Sequence, residues 1–533
     1  MALHLASLER SNESFWKIQN AKVMNRYQDW RPLMGERRTD VVVVGAGVTG
    51  LSTALELAAA GKSVIVLEAR TLGMGTSGAT SAHVTYIPDM GLASLIKDFG
   101  FDDAKKLLRG LRESFQVIRS RAAKSVKWKT LDALLIANDV GDEDELAEEH
   151  EAARSLGIQT ELLDQSRHFW TSGRTLKFPS QGQFDPICYL NSLVDDVLQN
   201  RGEIFFHSPV TDFDEAAGCV YVVGESFQIK CRHLVLATHS PLGKVLSAQT
   251  RMIPYLSYLI AARPATPTLA SDSQYLVWDT AKPYHYIRSI CDENGPLLLF
   301  GGADKKVGRL DSRVLPYRSL RRDLDEFISV KSIDYHWDGE FFEPADGLPF
   351  IGHVPFSNRV FIATGYSGTG LTFGSMAGRL LRDQILDQAQ SKPLLDLLKP
   401  SRLHVGHGIR EILDENASFA KHLVVDRLLE GRSKVAADPQ HLRPEEGAIL
   451  REGSKLIAAY RDRMGNLHYC DATCTHAACI VKWNHGDKTW DCPCHGARFS
   501  CFGKKLEGPA LKDLKAIEVL SSTSTMALAS SAD

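Results

Sequence analysis

The clearest pattern of hydrophobic and polar positions lies near the start of the chain. Asp40–Val44 (DVVVV) is an almost continuous apolar run, which is typical of a strand buried on both faces of a parallel sheet. Residues 45–50 (GAGVTG) follow at once and open an Ala/Leu-rich stretch that predicts a helix to about Ala60. A second apolar run, Ser63–Leu67 (SVIVL), ends at Glu68. The pattern therefore predicts a strand, a turn, a helix and a second strand.

Later segments of the chain predict further helices and strands, a linker and a disordered tail. A helix is predicted after Gln183–Pro186, a return to a strand over Glu203–Val210, a strand and turn over Leu234–Ser240, an alternating strand over Thr280–Arg288 and a helix over Met376–Gln388. Residues 399–441 match neither flanking pattern and are predicted to be a linker with a helix around 417–429. Residues 521–533 are rich in Ser and Ala, which predicts a disordered tail.

Length and charge limit the classes of protein that this chain can be. A chain of 533 residues exceeds the size at which one core stops growing, so two or three domains are expected. The 62 basic and 65 acidic residues give a formal net charge of −3, which leaves no basic field for nucleic acid. Six of the ten cysteines lie between Cys470 and Cys501, a clustering that indicates a cofactor rather than a disulfide framework.

The N-terminal region predicts a cytoplasmic protein. It lacks a basic segment followed by an apolar run, and Glu9 and Glu13 argue against a transit peptide. The long apolar stretch 41–67 is interrupted by four glycines and a lysine, so it is not expected to span a membrane.

The glycine-rich turn has the context of a dinucleotide site. Gly45 permits the tight turn, Gly47 lets a pyrophosphate approach the backbone, and Gly50 lets the helix pack closely on the sheet. The helix N-terminus then offers N–H groups and its dipole to the phosphates. Glu68, at the end of the second strand, is placed to accept hydrogen bonds from the adenosine ribose.

Three other segments resemble the D-amino acid oxidase family of flavoproteins. Residues 343–352 (EPADGLPFIG) and 360–374 (VFIATGYSGTGLTFG) resemble its closing segment, and residues 75–81 (GTSGATS) match its loop between flavin pyrophosphate and ring. The resemblance implies FAD rather than NAD. Beyond the residues of the first turn, it implies cofactor contacts from Val48, Thr49, Thr76, Ser77, Thr80, Ser81, Val210, Gly365, Gly368, Thr369, Gly370, Leu371 and Thr372.

The same resemblance implies how residues 37–398 are organised. The expected fold is an α/β FAD-binding domain, Rossmann-like and of glutathione-reductase type 2, joined to an α+β substrate domain with a mixed or antiparallel sheet. The FAD-binding pieces are about 37–90, 180–245 and 335–398, the substrate-domain pieces are about 90–180 and 245–335, and residues 1–36 form an N-terminal extension.

The strand predicted over Thr280–Arg288 lies over the flavin within this resemblance, and it carries the candidate catalytic residues Arg288 and Tyr286. Arg288 is expected either to clamp a substrate carboxylate bidentately or to form an interdomain ion pair. Tyr286 is expected to serve as a pocket wall or core aromatic more than as a proton carrier. His83 raises the hypothesis of covalent flavin attachment, although its spacing does not match the relatives that attach FAD in this way.

Two clusters near the C-terminus each offer one thiolate and one imidazole. Cys474 and His476 form the first cluster, and Cys492 and His495 form the second. This set suits a [2Fe–2S] centre in which two His replace two Cys on one iron. A structural zinc site uses the same residue types, but it usually pairs Cys with Cys and His with His.

The flanking residues resemble the Rieske protein of respiratory cytochrome bc complexes. The resemblance covers about residues 442–520, includes the Pro loop at Gly508-Pro509 and implies an all-β domain with a disulfide between Cys479 and Cys494. That family has a Ser and a Tyr whose hydroxyls bond the cluster sulfurs, whereas this chain has Ala497 and Phe499. We therefore expect a midpoint in the lower part of the Rieske range of roughly −150 to +300 mV.

Together these features predict a FAD-dependent dehydrogenase of amines or amino acids, whose reduced flavin passes electrons through the Rieske cluster to an external acceptor, a protein or a quinone. No second GxGxxG unit for a nicotinamide follows the first, so electrons are expected from an organic substrate. Three alternatives remain: an O₂-using oxidase with a regulatory cluster, an electron-transfer component for a partner oxygenase, and a zinc-stabilised binding module.

Overall fold

The structure is a computed structural model, and it describes residues 13–126, 128–163, 173–242, 245–266, 274–309, 316–402, 439–452 and 455–517. The predicted helix around 417–429, most of the predicted linker 399–441 and the predicted tail 521–533 lie outside these residues. Over the part that is described, no helix combines the length and apolar composition needed to cross a membrane.

The helices and strands are numbered in chain order. The helices are α1 Phe15–Gln19, α2 Ala21–Asn25, α3 Val48–Ala59, α4 Leu92–Phe99, α5 Phe101–Ser125, α6 Glu143–Ser155, α7 Pro186–Gln199, α8 Leu246–Gln249, α9 Pro316–Asp325, α10 Gly370–Ile385 and α11 Lys392–Leu398. The strands of the first two sheets are β1 Gly35–Val44, β2 Val64–Leu67, β3 His83–Val84, β4 Lys129–Ile136, β5 Glu161–Leu163, β6 Thr175–Gln183, β7 Glu203–Phe205, β8 Val210–Ala216, β9 Cys219–Gly224, β10 Phe227–Leu236, β11 Met252–Pro264, β12 Tyr275–Asp279, β13 Tyr286–Asp292, β14 Gly295–Lys306, β15 Val330–Pro344, β16 Phe350–His353 and β17 Val360–Thr364. The C-terminal strands are β18 Glu446–Glu452, β19 Lys455–Arg461, β20 Leu467–Asp471, β21 Lys482–Asn484, β22 Thr489–Asp491, β23 Arg498–Ser500 and β24 Lys505–Glu507.

The first sheet has the order β16-β17-β10-β1-β2-β7, and β8 and β9 extend it beside β10. Strands β17, β10, β1, β2 and β7 run parallel. The apolar run Val41–Val44 is buried at its centre, as a strand covered on both faces requires. Strand β1 begins earlier than its apolar run because Gly35 already pairs with Phe227 of β10.

Helix α7 shows how local sequence sets a boundary within this domain. The Asp185 carboxylate accepts hydrogen bonds from the backbone N–H groups of Ile187 and Cys188, and Pro186 occupies the first helical turn. An acidic N-cap followed by proline satisfies N–H groups that would otherwise lack partners. The helix predicted after Pro186 therefore begins where its capping residues place it.

The second sheet is mixed and has the order β15-β11-β14-β13-β12-β4-β6-β3, with β5 beside β6. The pair β4–β12 is parallel, and the other pairs are antiparallel. The strand predicted over Thr280–Arg288 is wrong at its start, because β13 begins at Tyr286. Asp279 holds the preceding residues in a loop by accepting hydrogen bonds from the N–H groups of Ala281 and His285.

The C-terminal region consists of two small antiparallel sheets, β18-β19-β20 and β21-β22-β23-β24. Their shared core contains Leu456 and Ala458 of β19 and the fully buried Trp490 and Phe499. Cys474, Cys479 and Cys492 are buried in the same core. The loops that carry the predicted metal ligands therefore rise from a compact all-β base.

Candidate functional site

One cavity of about 1300 Å³ joins three parts of the chain. Val44 and Leu67, at the carboxyl ends of β1 and β2, line one end, where parallel sheets of this type bind their ligands. Tyr286 of the second sheet lines another part, and residues 505–508 of the C-terminal region close a side. The predicted dinucleotide site and substrate domain thus face a single space.

The first turn has the shape that a pyrophosphate site requires. Gly45 has φ +104°, and a Cβ there would lie 2.4 Å from the carbonyl oxygen of Ala237, so only glycine fits without strain. The N–H of Val48, at the start of α3, donates to Ser77 Oγ at 3.1 Å. The Glu68 carboxylate accepts from the N–H of Ala46 at 3.0 Å, which fixes it at the end of β2.

Most residues predicted to bind the cofactor line this cavity. Those that do are Gly45, Gly47, Val48, Thr49, Glu68, Thr76, Ser77, Thr80, Ser81, Val210, Gly368, Thr369, Gly370 and Leu371. Gly50, Gly365 and Thr372 lie behind the surface of the cavity. The Thr372 hydroxyl donates to the carbonyl of Thr85 at 2.6 Å, so this residue joins α10 to the segment after the flavin loop. The residues present fit FAD, because a glycine turn, a helix N-terminus and the Glu68 carboxylate meet at one end.

The flavin loop, residues 75–81, is held by side chains that the sequence did not single out. Ser14 donates to the carbonyl of Gly78, Trp16 Nε1 to that of Thr80 at 2.7 Å, and Trp337 Nε1 to that of Ala79 at 2.7 Å. All three donors are buried. The N-terminal extension therefore helps to shape the cofactor loop, which only the folded chain reveals because these contacts are distant in sequence.

Arg288 has a role that differs from both sequence hypotheses. Its Nη1 donates to the carbonyl oxygens of Ser81 at 2.9 Å and Ala82 at 2.7 Å, and the guanidinium lies over the Trp16 ring at 5.0 Å. The side chain is buried and does not line the cavity. Arg288 therefore continues the series of donors that hold the flavin loop through Nη1, whereas its Nε is buried without a hydrogen-bond partner among the described residues.

His83 uses both of its ring nitrogens within the protein. Nε2 lies 3.1 Å from the carbonyl oxygen of Ile287 and therefore donates, while Nδ1 lies 3.1 Å from Ser81 Oγ and accepts. Burial and the positive charge of Arg288 lower the pKa of His83 to about 3. The imidazole is thus a neutral structural group, and this arrangement leaves neither nitrogen available for a bond to the flavin.

The substrate side of the cavity is built from tyrosines and carboxylates. The Tyr286 hydroxyl lies 2.8 Å from Ser257 Oγ, and the rings of Tyr284 and Tyr286 are 6.0 Å apart. The Tyr284 hydroxyl donates to Asp89 Oδ1 at 3.4 Å. Burial raises the pKa of Tyr286 far above its ordinary value, so its hydroxyl stays protonated and serves as a hydrogen-bonding wall.

The four predicted metal ligands come together on two loops. The thiols of Cys474 and Cys492 are within hydrogen-bonding distance of one another, and the ring centroids of His476 and His495 are 5.1 Å apart. Each loop is a closed turn: the N–H of Cys474 donates to the carbonyl of Cys479, and that of Cys492 to the carbonyl of Ala497, both at 2.8 Å. Two sulfur and two imidazole donors in one pocket fit the mixed ligand set of a Rieske centre.

A disulfide ties these two loops together. Cys479 and Cys494 are bonded, with their Cα atoms 6.6 Å apart. The Cys492 sulfur lies within 4.8 Å of both disulfide sulfurs. Ala497 and Phe499 are fully buried beside the second loop, so the positions that carry hydroxyls in respiratory Rieske proteins are apolar here.

The second ligand loop is packed against the mixed sheet. A Cβ on Gly496 would lie 2.5 Å from Glu340 Oε1 of β15 and 2.7 Å from Pro254 Cβ of β11, which leaves room only for glycine. Glu340 also lines the large cavity. His495 is only 7% exposed, whereas His476 on the first loop is half-buried. The two imidazoles therefore face different surroundings.

A buried ion network joins the C-terminal region to the mixed sheet. The Arg498 guanidinium contacts Asp338 of β15 at 2.5 Å, Asp487 at 2.9 Å and Asp491 at 3.3 Å. Burial and the charge of Asp338 raise the pKa of Asp487 well above its ordinary value. Arg498 is thus the shared cation of three carboxyl groups, one of which belongs to the opposite domain.

A second ion pair joins the regions beside the cavity. Arg70, which follows β2, contacts Glu507 at 3.2 Å and donates to the carbonyl of Leu506 at 3.2 Å. Both Arg70 and Glu507 line the cavity. The loop before Gly508-Pro509 is therefore fixed to the dinucleotide end.

Comparison with known protein families agrees with both sequence resemblances. Residues 40–384 match the family described as FAD dependent oxidoreductase, and residues 434–518 match the Rieske [2Fe-2S] domain. These matches confirm the predicted pair of domains, the fold class and the two cofactors, FAD and a [2Fe–2S] cluster.

Individual relatives cover both the whole chain and its first part. The Bacillus subtilis protein YhfW, whose name assigns it a Rieske 2Fe-2S centre, is 30% identical over 514 residues, 95% of this chain and 98% of that protein. Gamma-glutamylputrescine oxidoreductase of Escherichia coli is 28% identical over 387 residues, 69% of this chain and 88% of its own. Among solved structures, glycine oxidase from Geobacillus kaustophilus has a TM-score of 0.58 at 18% identity, covering 69% of this chain and 100% of its own.

Proposed function

Since this chain belongs to the family of FAD-dependent oxidoreductases and carries a Rieske [2Fe–2S] domain, we propose that it is a dehydrogenase that oxidises a C–N bond of an amine or amino acid and delivers the electrons to an external acceptor. Bound FAD supplies two-electron chemistry, and the cluster carries one electron at a time. The names of two relatives, gamma-glutamylputrescine oxidoreductase and glycine oxidase, support a nitrogen-containing substrate.

The observation that carries the proposal is the contact between the second ligand loop and the wall of the cavity. Gly496 packs directly on Glu340, and Glu340 lines the space that the dinucleotide turn and Tyr286 also line. The Arg498 network and the Arg70–Glu507 pair fix this arrangement from two sides. A cluster with a purely regulatory role would not require its ligand loop to lie against the wall of the flavin cavity.

The different exposure of the two imidazoles supports an external acceptor. His495 is buried on the loop that faces the mixed sheet, while His476 is half-buried between Thr475 and Ala478, both of which are exposed. Electron carriers exchange electrons through ligands that a partner can approach. We therefore assign the His495 side to electron entry from within the chain and the His476 side to electron exit.

The residues on the substrate side of the cavity orient the substrate rather than activate it strongly. Transfer of a hydride from the carbon bonded to nitrogen needs a neutral amine held close and in the correct orientation. Tyr284 and Tyr286 provide aromatic walls, and Ser257 fixes the Tyr286 hydroxyl. Trp16, Trp337 and Arg288 keep the flavin loop in place from behind.

Anaerobic mixing of the holoenzyme with a panel of amines and N-methylated amino acids tests the proposal. We expect a member of the panel to bleach the flavin and to produce the reduced-cluster signal in electron paramagnetic resonance. In Cys492→Ser the flavin should still bleach, but reduction of the acceptor should be lost. Iron and sulfide analysis and the FAD content of the variant show which cofactor the substitution removed.

Three outcomes contradict the proposal. Full acceptor reduction by Cys492→Ser would show that the cluster is not on the route. Stoichiometric peroxide at normal turnover would favour an oxidase with a regulatory cluster. Rapid flavin bleaching by NADH, without any response to the panel, would indicate an electron-transfer component instead.

A further inference from the structure

A carboxylate without a positive partner lies at the substrate side of the cavity. Asp89 Oδ1 accepts a hydrogen bond from the Tyr284 hydroxyl at 3.4 Å, and the N–H of Gly368 also donates to this carboxylate. Asp89 is exposed, and its side chain lines the cavity. Among the described residues, none forms an ion pair with it. Its free surface therefore faces the space that a substrate enters.

A second carboxyl group stands behind the tyrosine pair. Asp304 lies beside Ser257, and its Oδ1 is buried without a hydrogen-bond partner among the described residues. Burial raises the pKa of Asp304 to about 7, the Asp89 charge acts in the same direction, and His285 and Lys305 oppose it. The protein thus places two carboxyl groups around Tyr284 and Tyr286.

The cations near the substrate side of the cavity are not paired with Asp89. Arg288 is held by the carbonyls of Ser81 and Ala82, and His83 is neutral. Lys97 and Lys282 line the cavity and are exposed, as Asp89 is, and neither forms an ion pair with it. A substrate carboxylate placed next to Asp89 would therefore meet a like charge.

Resting on the proposed function, we propose that the substrate is an amine without a carboxylate next to the reacting C–N bond. It enters as its ammonium ion, binds Asp89 and loses one N–H proton to that carboxylate before the neutral amine reacts. An ammonium group supplies the positive charge that an unpaired carboxylate lacks, and charge-assisted hydrogen bonds are the stronger kind. The faces of Tyr284 and Tyr286 add a cation–π attraction. The Tyr284 hydroxyl and the Gly368 N–H orient the carboxylate toward the substrate.

Matched pairs of compounds test this without altering the protein. Each pair consists of an amino acid and the amine that remains after loss of its carboxylate, for example N-methylglycine and dimethylamine. The amine should bleach the flavin of the holoenzyme under anaerobic conditions at a concentration at least about tenfold lower than the amino acid. If only amino acids bleach the flavin, the substrate class is overturned while the proposed function stands. If neither class does, both fail.

Two variants then locate the charge. Asp89→Asn should raise the dissociation constant of the best amine about 10- to 100-fold, the loss expected for one charge-assisted contact, with FAD content and thermal midpoint unchanged. Asp89→Glu should recover part of that affinity. Glu36→Gln, on the exposed start of β1, is the matched control for loss of one carboxylate and should bind the amine like the wild type. Equal amine affinity in Asp89→Asn and wild type would overturn the assignment of Asp89.

Discussion

Two side chains beside the second ligand loop set the expected potential of the cluster. Ala497 and Phe499 are fully buried and carry no hydroxyl, while the backbone carbonyl of Ala497 accepts from the N–H of Cys492. Hydrogen bonds to cluster sulfurs favour the reduced, more negative state and so raise the potential. The apolar pair therefore supports a midpoint in the lower part of the Rieske range.

Restoring the hydroxyls should raise the midpoint. For Ala497→Ser and Phe499→Tyr we expect an increase of about 50 mV each, which is one hydrogen bond of ~1 kcal/mol converted for a one-electron couple. Redox titration followed by visible or circular dichroism spectra measures this shift. Phe502→Tyr adds a hydroxyl to an exposed ring of the same domain and is the control. A wild-type midpoint near the top of the range would contradict the interpretation.

The carbonyls of the flavin loop provide a second test at the residue scale. Trp16→Phe keeps an aromatic ring but removes the hydrogen bond to Thr80. The loop should therefore lose about 1 kcal/mol of stabilisation, and FAD should bind about fivefold more weakly. Flavin released on dilution, measured by fluorescence, reports the change. Trp30→Phe, also in the N-terminal extension, does not touch this loop and should retain FAD normally. Equal retention in all three proteins would refute the role of Trp16.

Whether the role of a residue could be predicted depends on how close in sequence its partners lie. Gly45 and the four predicted metal ligands could be proposed from the sequence because short spacing defines their motifs. Arg288 could not, because its partners Ser81 and Ala82 are some two hundred residues away. An arginine in a strand gives no sign of whether it meets a substrate or a buried carbonyl.

At the scale of elements, the contact between β15 and β23 is the feature with the largest energetic consequence. Asp338 of β15 and Arg498 of β23 are both nearly buried, and Arg498 also serves Asp487 and Asp491. A buried charge that loses its partner pays its desolvation cost without compensation. The ion network is therefore a strong determinant of how the two domains stay together.

Replacing Arg498 by methionine should destabilise this contact. We expect a loss of about 3–5 kcal/mol, the range for removal of one partner from a buried ion pair, together with slower cluster reduction while the flavin still bleaches at the normal rate. Thermal unfolding and stopped-flow spectroscopy measure the two effects separately. Lys455→Met, at the exposed start of β19, should change stability by less than about 0.5 kcal/mol. Cluster reduction at the normal rate in Arg498→Met would contradict the proposed contact.

The elements themselves were predictable where one periodicity dominates. The strands β1 and β2 and the helices α3 and α7 lie close to their predicted positions because apolar runs, glycines and caps define them. The start of β13 was not predictable, because the Asp279 side chain holds residues 280–285 in a loop despite their alternation. Side-chain hydrogen bonds of this kind compete with strand pairing and leave little trace in the hydrophobic pattern.

At the scale of the whole molecule, the structure adds an arrangement that sequence motifs do not contain. The two family resemblances indicate which cofactors the chain binds, but each motif describes only its own domain. The docking of residues 492–496 on Pro254 and Glu340 depends on complementary surfaces built from several distant segments. Such a surface has no period or spacing, so it emerges only after both domains have folded.

This fixed docking predicts that electron transfer between the cofactors occurs within one chain. Because the ligand loop already contacts the cavity wall, no encounter between two molecules is needed, and the rate of cluster reduction should not change when the holoenzyme is diluted about a hundredfold. An intermolecular step would instead slow in proportion to concentration. Anaerobic stopped-flow mixing with substrate, in the absence of dithionite, measures the rate of cluster reduction at several enzyme concentrations. The same measurement on the Arg498→Met variant gives the rate when the domain contact is weakened. A rate that falls with dilution in the wild type would mean that the domain contact seen here does not serve electron transfer.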